Sequence, residues 1–238
     1  MLGLSNAALL ELCDSGRAGS PVERALLLLA AALPGEDRAT LAELSIPRRD
    51  AAVLAWRRAA LGPELPGFVD CPRCREELEF DFDADALLAS APAAEQQAVC
   101  IGERRFRLPN STDLIATAAI ADPQGATRRL LQSCCVDDGD GGGDDEAWFD
   151  EWLAEAEATL SVHAGASDTN FHFDCGSCGY AWEAPFDICA YFWEEVERRA
   201  QALLDDVHRL ALAYGWSETA ILAMSDARRA AYVARCDA

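Results

Sequence analysis

Two Cys-x-x-Cys pairs, about a hundred residues apart, constrain this chain more than any other feature. The first lies in "VDCPRCREELEFDFD" (69–83) and the second in "FDCGSCGYAWEAPFD" (173–187). Laid over each other they share one frame. Asp70 matches Asp174, Cys71 and Cys74 match Cys175 and Cys178, Leu78 matches Trp182, and Phe82-Asp83 matches Phe186-Asp187. Cys-x-x-Cys sets two sulfurs on one tight turn, so each pair can grip a tetrahedral metal from one side, and two pairs complete a four-sulfur site. Pro72, Gly176 and Gly179 suit such turns, and the flanking alternation ("FVDC", "LEFDF", "FHFDC", "YAWEA") predicts a β-hairpin around each pair. The long spacing is no obstacle, because closure entropy grows only logarithmically with loop length.

The expectation is one structural zinc ion on Cys71, Cys74, Cys175 and Cys178, at the centre of a zinc-ribbon-like core. Four sulfur ligands leave no open coordination position, so the metal would hold the fold and not do catalysis. A thioredoxin-type redox pair belongs at the start of a helix after a strand and needs a lowered thiol pKa. The acids around both pairs oppose that. A redox pair, an iron–sulfur site and a metal-free arrangement remain the alternatives. His172 lies beside the second pair, but with four cysteines in place it reads as an ordinary histidine.

The rest of the chain reads mostly as helix. "SPVERALLLLAAAL" opens with Ser20, Pro21 and Glu23, a capping box, and stops at Pro34-Gly35. A short helix is expected near 37–44 and a longer one from Pro47 to Gly62. Arg48, Arg49, Arg57 and Arg58 on the latter read as a solvated face paired with acids. "AVCIGERRFRL" (98–108) predicts a hairpin around Gly102-Glu103, followed by a helix capped by Ser111 or Thr112 and another over about 125–134. "VDDGDGGGDDE" (136–146) holds six acids and four glycines without the EF-hand order, and reads as a solvated loop before an amphipathic helix bearing Trp148 and Trp152. From about 189 a long helix carries a seam of Trp193, Val196, Ala200, Leu203, Val207, Leu210 and Tyr214, which Gly215 terminates. Ser217 and Ser225 cap two short helices. Cys13, Cys100, Cys134, Cys135, Cys189 and Cys236 read as small buried hydrophobes.

The fold class expected is therefore α+β and mostly helical. An N-terminal helical region (1–66) and a C-terminal helical tail (190–238) flank the zinc-ribbon-like core (67–88 with 168–189), and a lobe (89–167) is inserted into it.

Composition narrows the function. The net charge is −21, and all twenty basic residues are Arg. Nucleic acid and anionic membranes call for a basic surface, so neither is an expected partner. The longest apolar run, "ALLLLAAAL" (25–33), is about half of a membrane span, and the N-terminus lacks a basic leader. A cytoplasmic location follows as the expectation, which also disfavours a disulfide framework for ten cysteines. No phosphate loop, nucleophile elbow or histidine constellation assembles an active site. Neither catalysis nor a small-molecule substrate is expected.

The stretch "VHRLALAYGWSETAILAMSDARRAAYV" resembles the T4-like baseplate hub assembly chaperone family of contractile phage tails and related contractile injection systems. The likeness rests on Val207-His208, Ala213 to Ser217, Ile221-Leu222, Arg228-Arg229 and Tyr232. "YAWEAPFDICAYFWEE" and "PVERALLLLAAA…RRDAAVLAWR" extend it more loosely along the chain. The resemblance implies a non-catalytic assembly factor whose partners are baseplate or hub proteins. Trp216, Ile221, Arg228, Arg229 and Tyr232 are the candidate partner-binding residues. A zinc-ribbon adaptor in transcription or translation is the rival class, and a thiol–disulfide enzyme a more distant one.

Overall fold

The computed structural model describes residues 5–90, 98–101, 104–136 and 169–236, with the single positions 155 and 159. The expected turn at Gly102-Glu103, the acidic stretch beyond Val136 and the segment with Trp148, Trp152 and His163 lie outside the described residues.

Four helices open the chain: α1 (Asn6–Gly16), α2 (Pro21–Ala32), α3 (Arg38–Glu43) and α4 (Ile46–Leu61). Side chains set their starts. Ser5 accepts from the Ala8 N–H, Ser20 and Glu23 form the expected capping box, and Asp37 accepts from Ala39 and Thr40. Helix α4 stops at Gly62, and strands β1 (Glu64–Asp70) and β2 (Glu77–Asp83) follow as an antiparallel pair. Next come α5 (Ala84–Ser90), the short pair β3 (Ala98–Ile101) and β4 (Arg104–Arg107), α6 (Ser111–Thr117) and α7 (Pro123–Cys134). The cap of α6 is Asn110, not Ser111 or Thr112. Its side chain accepts from the Asp113 N–H, and Asp113 returns the bond to the Asn110 N–H. A second antiparallel pair, β5 (Thr169–Asp174) and β6 (Ala181–Phe186), leads into the 27-residue α8 (Ile188–Tyr214). Two short helices, α9 (Glu218–Leu222) and α10 (Asp226–Cys236), close the described chain.

The molecule is thus mostly helical with small antiparallel sheets. Its main core joins both ends of the sequence. Leu26, Leu28 and Leu29 of α2, Val53, Leu54 and Trp56 of α4, and Leu65 of β1 pack with Ile188, Phe192, Trp193 and Val196 of α8. The predicted seam of α8 is buried from Trp193 to Leu203 and again at Leu210. It loosens at Val207 and ends on a partly exposed Tyr214.

The arginines of α4 do not form one solvated face. Arg58 is exposed and pairs with Asp85, but Arg49 and Arg57 are buried at 6% and 3% exposure. Arg57 donates from Nε and Nη2 to the two Glu195 carboxylate oxygens at 2.9 and 2.8 Å, and from Nη1 to the carbonyls of Gly62 and Glu64. Burial alone would depress this guanidinium; the Glu195 carboxylate outweighs it and holds the pKa above its usual value. Arg49 bonds Asp50 at 2.7 Å and Ser111 at 3.3 Å, while the Cys189 thiol donates to Asp50 at 3.3 Å. These fully paired charges tie α4 to α6 and α8. No described helix is long and apolar enough to cross a membrane.

Candidate metal centre

Each Cys-x-x-Cys pair occupies the turn of a hairpin, as its alternating flanks require. In the first, the Cys71 N–H donates to the Glu76 carbonyl at 2.8 Å and the Arg75 N–H to the Cys71 carbonyl at 2.9 Å. In the second, the Cys175 N–H donates to Tyr180 at 2.9 Å and the Gly179 N–H to Cys175 at 2.8 Å. The two knuckles share the same bonds at the same positions of the frame. The strand pairing repeats as well: Asp70 faces Glu77 as Asp174 faces Ala181, and Leu65 faces Phe82 as Thr169 faces Phe186.

The hairpins meet through aromatic side chains on their inner faces. The rings of Phe82 and Phe171 stack with centroids 3.5 Å apart, and Phe80 lies 5.7 Å from Phe173. Phe186 and Trp182 extend the stack on the second hairpin. Large and small residues alternate in opposite senses. Gly67 faces Phe80 in one hairpin and Phe171 faces Ala184 in the other. A Cβ on Gly67 would collide with the Phe80 ring, so glycine there makes room for the stack. Such pairs contribute about 0.5–1.5 kcal/mol each beyond their burial.

This packing brings Cys71, Cys74, Cys175 and Cys178 together, with their ligand atoms all within 4.8 Å of one another. Across the two knuckles, Cys71 Sγ lies 3.7 Å from Cys178 Sγ and Cys74 Sγ lies 3.5 Å from Cys175 Sγ. Zinc–sulfur bonds of about 2.3 Å in a regular tetrahedron place sulfurs about 3.8 Å apart. The cross-knuckle spacings fit that figure. Cys71 and Cys175 are buried, Cys178 is half-buried and Cys74 is exposed.

The electrostatics suit a cation. Burial pushes the Cys71 thiol up, but the backbone N–H groups of Cys74 and Arg73, with neighbouring thiols, outweigh it and bring it down to about 7. At Cys74 the Glu76 N–H lowers the pKa, while burial and the thiols of Cys178, Cys175 and Cys71 push it up to about 12. Cys178 is raised too: the Tyr180 N–H and the Cys74 thiol favour its thiolate, but burial and the thiols of Cys175 and Cys71 prevail. One thiolate forms readily and the next are opposed. A divalent cation removes that opposition by neutralising the charge.

The other sequence candidates separate cleanly. His172 is exposed, with Nε2 3.6 Å from Asp174, outside the cysteine cluster. Cys134 and Cys189 are buried as expected, and burial raises both thiols, Cys134 to about 11. Cys13, Cys135 and Cys236 are half-buried, and Cys100 is exposed on β3, contrary to the buried reading. In the tail, Ile221 is fully buried and Arg229 is 9% exposed. Arg229 bonds Asp206 of α8 at 2.9 Å, which fastens α10 to α8, and Asp226 of its own helix at 3.0 Å. Trp216 stacks on Tyr214 at 4.6 Å and meets Tyr232 edge-on at 4.9 Å, with Arg228 over the Tyr232 ring. Arg228 is exposed, and Trp216 and Tyr232 are half-buried.

A trough of about 610 Å³ between α1, α4, α8 and α10 is lined by Leu9, Trp56, Phe192, Leu203 and Arg229 among others. A second, of about 700 Å³, lies between α1 and α8. Neither contains a cysteine of the cluster. No family model matches the chain, and comparison with curated proteins and with solved structures found no match.

Proposed function

We propose that Cys71, Cys74, Cys175 and Cys178 hold one structural zinc ion in a zinc-ribbon-like core, and that the chain is a non-catalytic assembly factor working through protein–protein contacts. Its partner class is a baseplate or hub protein of a contractile phage tail or injection system, and its place is the cytoplasm. One observation carries the structural role: the donor set is complete with four sulfurs, so a bound zinc keeps no position for water or substrate. The acidic surface and the tail's resemblance to baseplate hub chaperones support the rest. The partly exposed cluster of Trp216, Arg228 and Tyr232 is the part of that tail able to meet a partner.

A zinc-ribbon adaptor in transcription or translation is the second reading. It needs a cationic face for nucleic acid, which a net charge of −21 opposes. Both readings are tested by tagging the full chain, co-expressing it with baseplate and hub proteins of a contractile tail, and analysing what co-purifies. Recovery of a baseplate or hub subunit, with one zinc per chain, is the expected result. Recovery of RNA polymerase or ribosomal components instead, or a chain without zinc whose cysteines are all reduced, overturns it.

A further inference from the structure

The repeated hairpins provide an internal control for what the metal-bearing frame demands. Their inner faces match in role: half-buried apolar residues packed on each other. Their outer faces match only in part. On the first hairpin the exposed residues are Glu64, Pro66, Phe68 and Asp70 of β1 and Glu77, Glu79, Asp81 and Asp83 of β2. On the second, the equivalent strands expose Asn170, His172, Asp174, Ala181, Glu183 and Pro185. Asp70, Glu79 and Asp83 recur as Asp174, Glu183 and Asp187, whereas Glu77 and Asp81 give way to Ala181 and Pro185. The frame therefore does not require Glu77 or Asp81.

The acids of the first hairpin also oppose the fold locally. Asp70 faces Glu77 and Glu64 faces Asp83 across the strands, and like charges directly opposite each other destabilise a sheet. Among the described residues, no arginine or histidine forms an ion pair with Glu64, Asp70, Glu77, Glu79 or Asp81. In the middle of this face Phe68 stands 62% exposed, opposite Glu79 and next to Pro66. An exposed aromatic ring within unpaired carboxylates matches the anchor-and-rim pattern of a protein interface.

We infer that the outer face of β1 and β2 is a docking surface for a basic segment of a partner protein, with apolar side chains covering Phe68 and Arg or Lys side chains meeting Glu64, Asp70, Glu77, Glu79 and Asp81. Charge selects the occupant. A second copy of the same face would set carboxylates against carboxylates, and nucleic acid is excluded for the same reason. The inference rests on the reading that this protein acts through protein contacts, and it adds the chemistry of the partner.

The experiment uses the full-length, metal-loaded chain and two labelled synthetic peptides, one of arginine and leucine and the other of glutamate and leucine. Only the arginine peptide should bind, and more weakly as salt rises. Phe68→Ser, and the pair Glu77→Gln with Asp81→Asn, should each weaken it about tenfold. His172→Ser and Glu183→Gln on the other hairpin should leave it unchanged. Glu77→Gln should also raise Tm while it weakens binding, the opposite of what a structural carboxylate would do. Absence of binding at millimolar peptide, or equal losses from both hairpins, overturns the proposal. So does displacement of the peptide by micromolar calcium, or a solution dimer that Phe68→Ser dissociates. If baseplate proteins co-purify equally with the parent chain and with Phe68→Ser, this surface fails and the assembly role stands. If the peptides behave as expected but no baseplate protein is recovered, the surface stands and the assembly role fails.

Discussion

The first knuckle and the second do the same job with different residues at one critical place. Both turns need a left-handed residue just after the second cysteine. The second knuckle has Gly179 there at φ 68°, and the first has Arg75 at φ 65°. Arg75 is the one non-glycine with positive φ among the described residues. That conformation costs a side-chain-bearing residue about 1–2 kcal/mol, and glycine almost nothing. The exits differ as well. Asp83 accepts from the Asp85 N–H at 2.7 Å to start the seven-residue α5, and Asp187 accepts from the Ala190 N–H at 3.0 Å to start the 27-residue α8. A shared demand, four sulfurs around a point, fixes the turn, the register and the aspartate.

The equivalence of the two halves breaks most visibly at the ligands. Cys74→Ser and Cys178→Ser remove one sulfur from opposite knuckles, and structural zinc supplies on the order of 10 kcal/mol. Each should release the metal and melt the hairpin pair, as should a strong chelator acting on the parent chain. Metal analysis and thermal melts check this; if one variant keeps its zinc and its Tm, the halves are not equivalent.

The next largest effect lies where only the first hairpin is held. Arg57 grips the Glu64 carbonyl at the start of β1 and pairs with buried Glu195. Glu195→Ala leaves that guanidinium buried without its counter-ion, which costs about 3–5 kcal/mol. Denaturant unfolding measures the loss. A value near zero would mean that this ion pair does not hold the first hairpin to the helices.

Acidity should weaken the site progressively. Cys71 is lowered to about 7, so its thiolate is present above that value and is lost as pH falls through it. Cys74, pushed up to about 12, and Cys178 hold their protons at neutral pH and must give them up to the metal. Zinc affinity should therefore drop about tenfold, or about 1.4 kcal/mol, per pH unit for each proton displaced. Competition titrations at several pH values check the slope; an affinity independent of pH would show that the thiols are not the ligands.

The smallest effect tests the turn itself. Arg75→Gly should relieve strain and stabilise the metal-bound form by up to about 1 kcal/mol, while Gly179→Ala should cost about the same. Opposite signs in melts of the two variants would confirm that left-handed geometry, not side-chain chemistry, governs both positions. Equal signs would break the comparison.

What the sequence reveals here depends on how local the cause is. The ligand set is legible because Cys-x-x-Cys spacing is a property of one turn, and Ser20 and Glu23 announce α2 because a capping box spans four residues. Arg49 and Arg57 mislead because arginine is usually exposed. Their burial depends on partners such as Glu195, which is 138 residues from Arg57. Asn110 takes the cap of α6 from Ser111 because Asp113 answers it three residues on, a reciprocal pair in which Asp replaces the usual Glu or Gln. Ile221 and Arg229, expected from the sequence to meet a partner, are buried. A motif records that residues matter without recording whether they hold the chain or its partner.

The join between Cys71 and Cys178 spans 107 positions of sequence, and that separation has a consequence during synthesis. At about 5–20 residues per second, the first knuckle leaves the ribosome roughly 5–20 s before the second. For that interval the nascent chain carries two cysteines that can start a four-sulfur site but not finish it. The Arg57 side chain likewise awaits a carboxylate that has not been made. The acidic face of the first hairpin would be exposed throughout the wait.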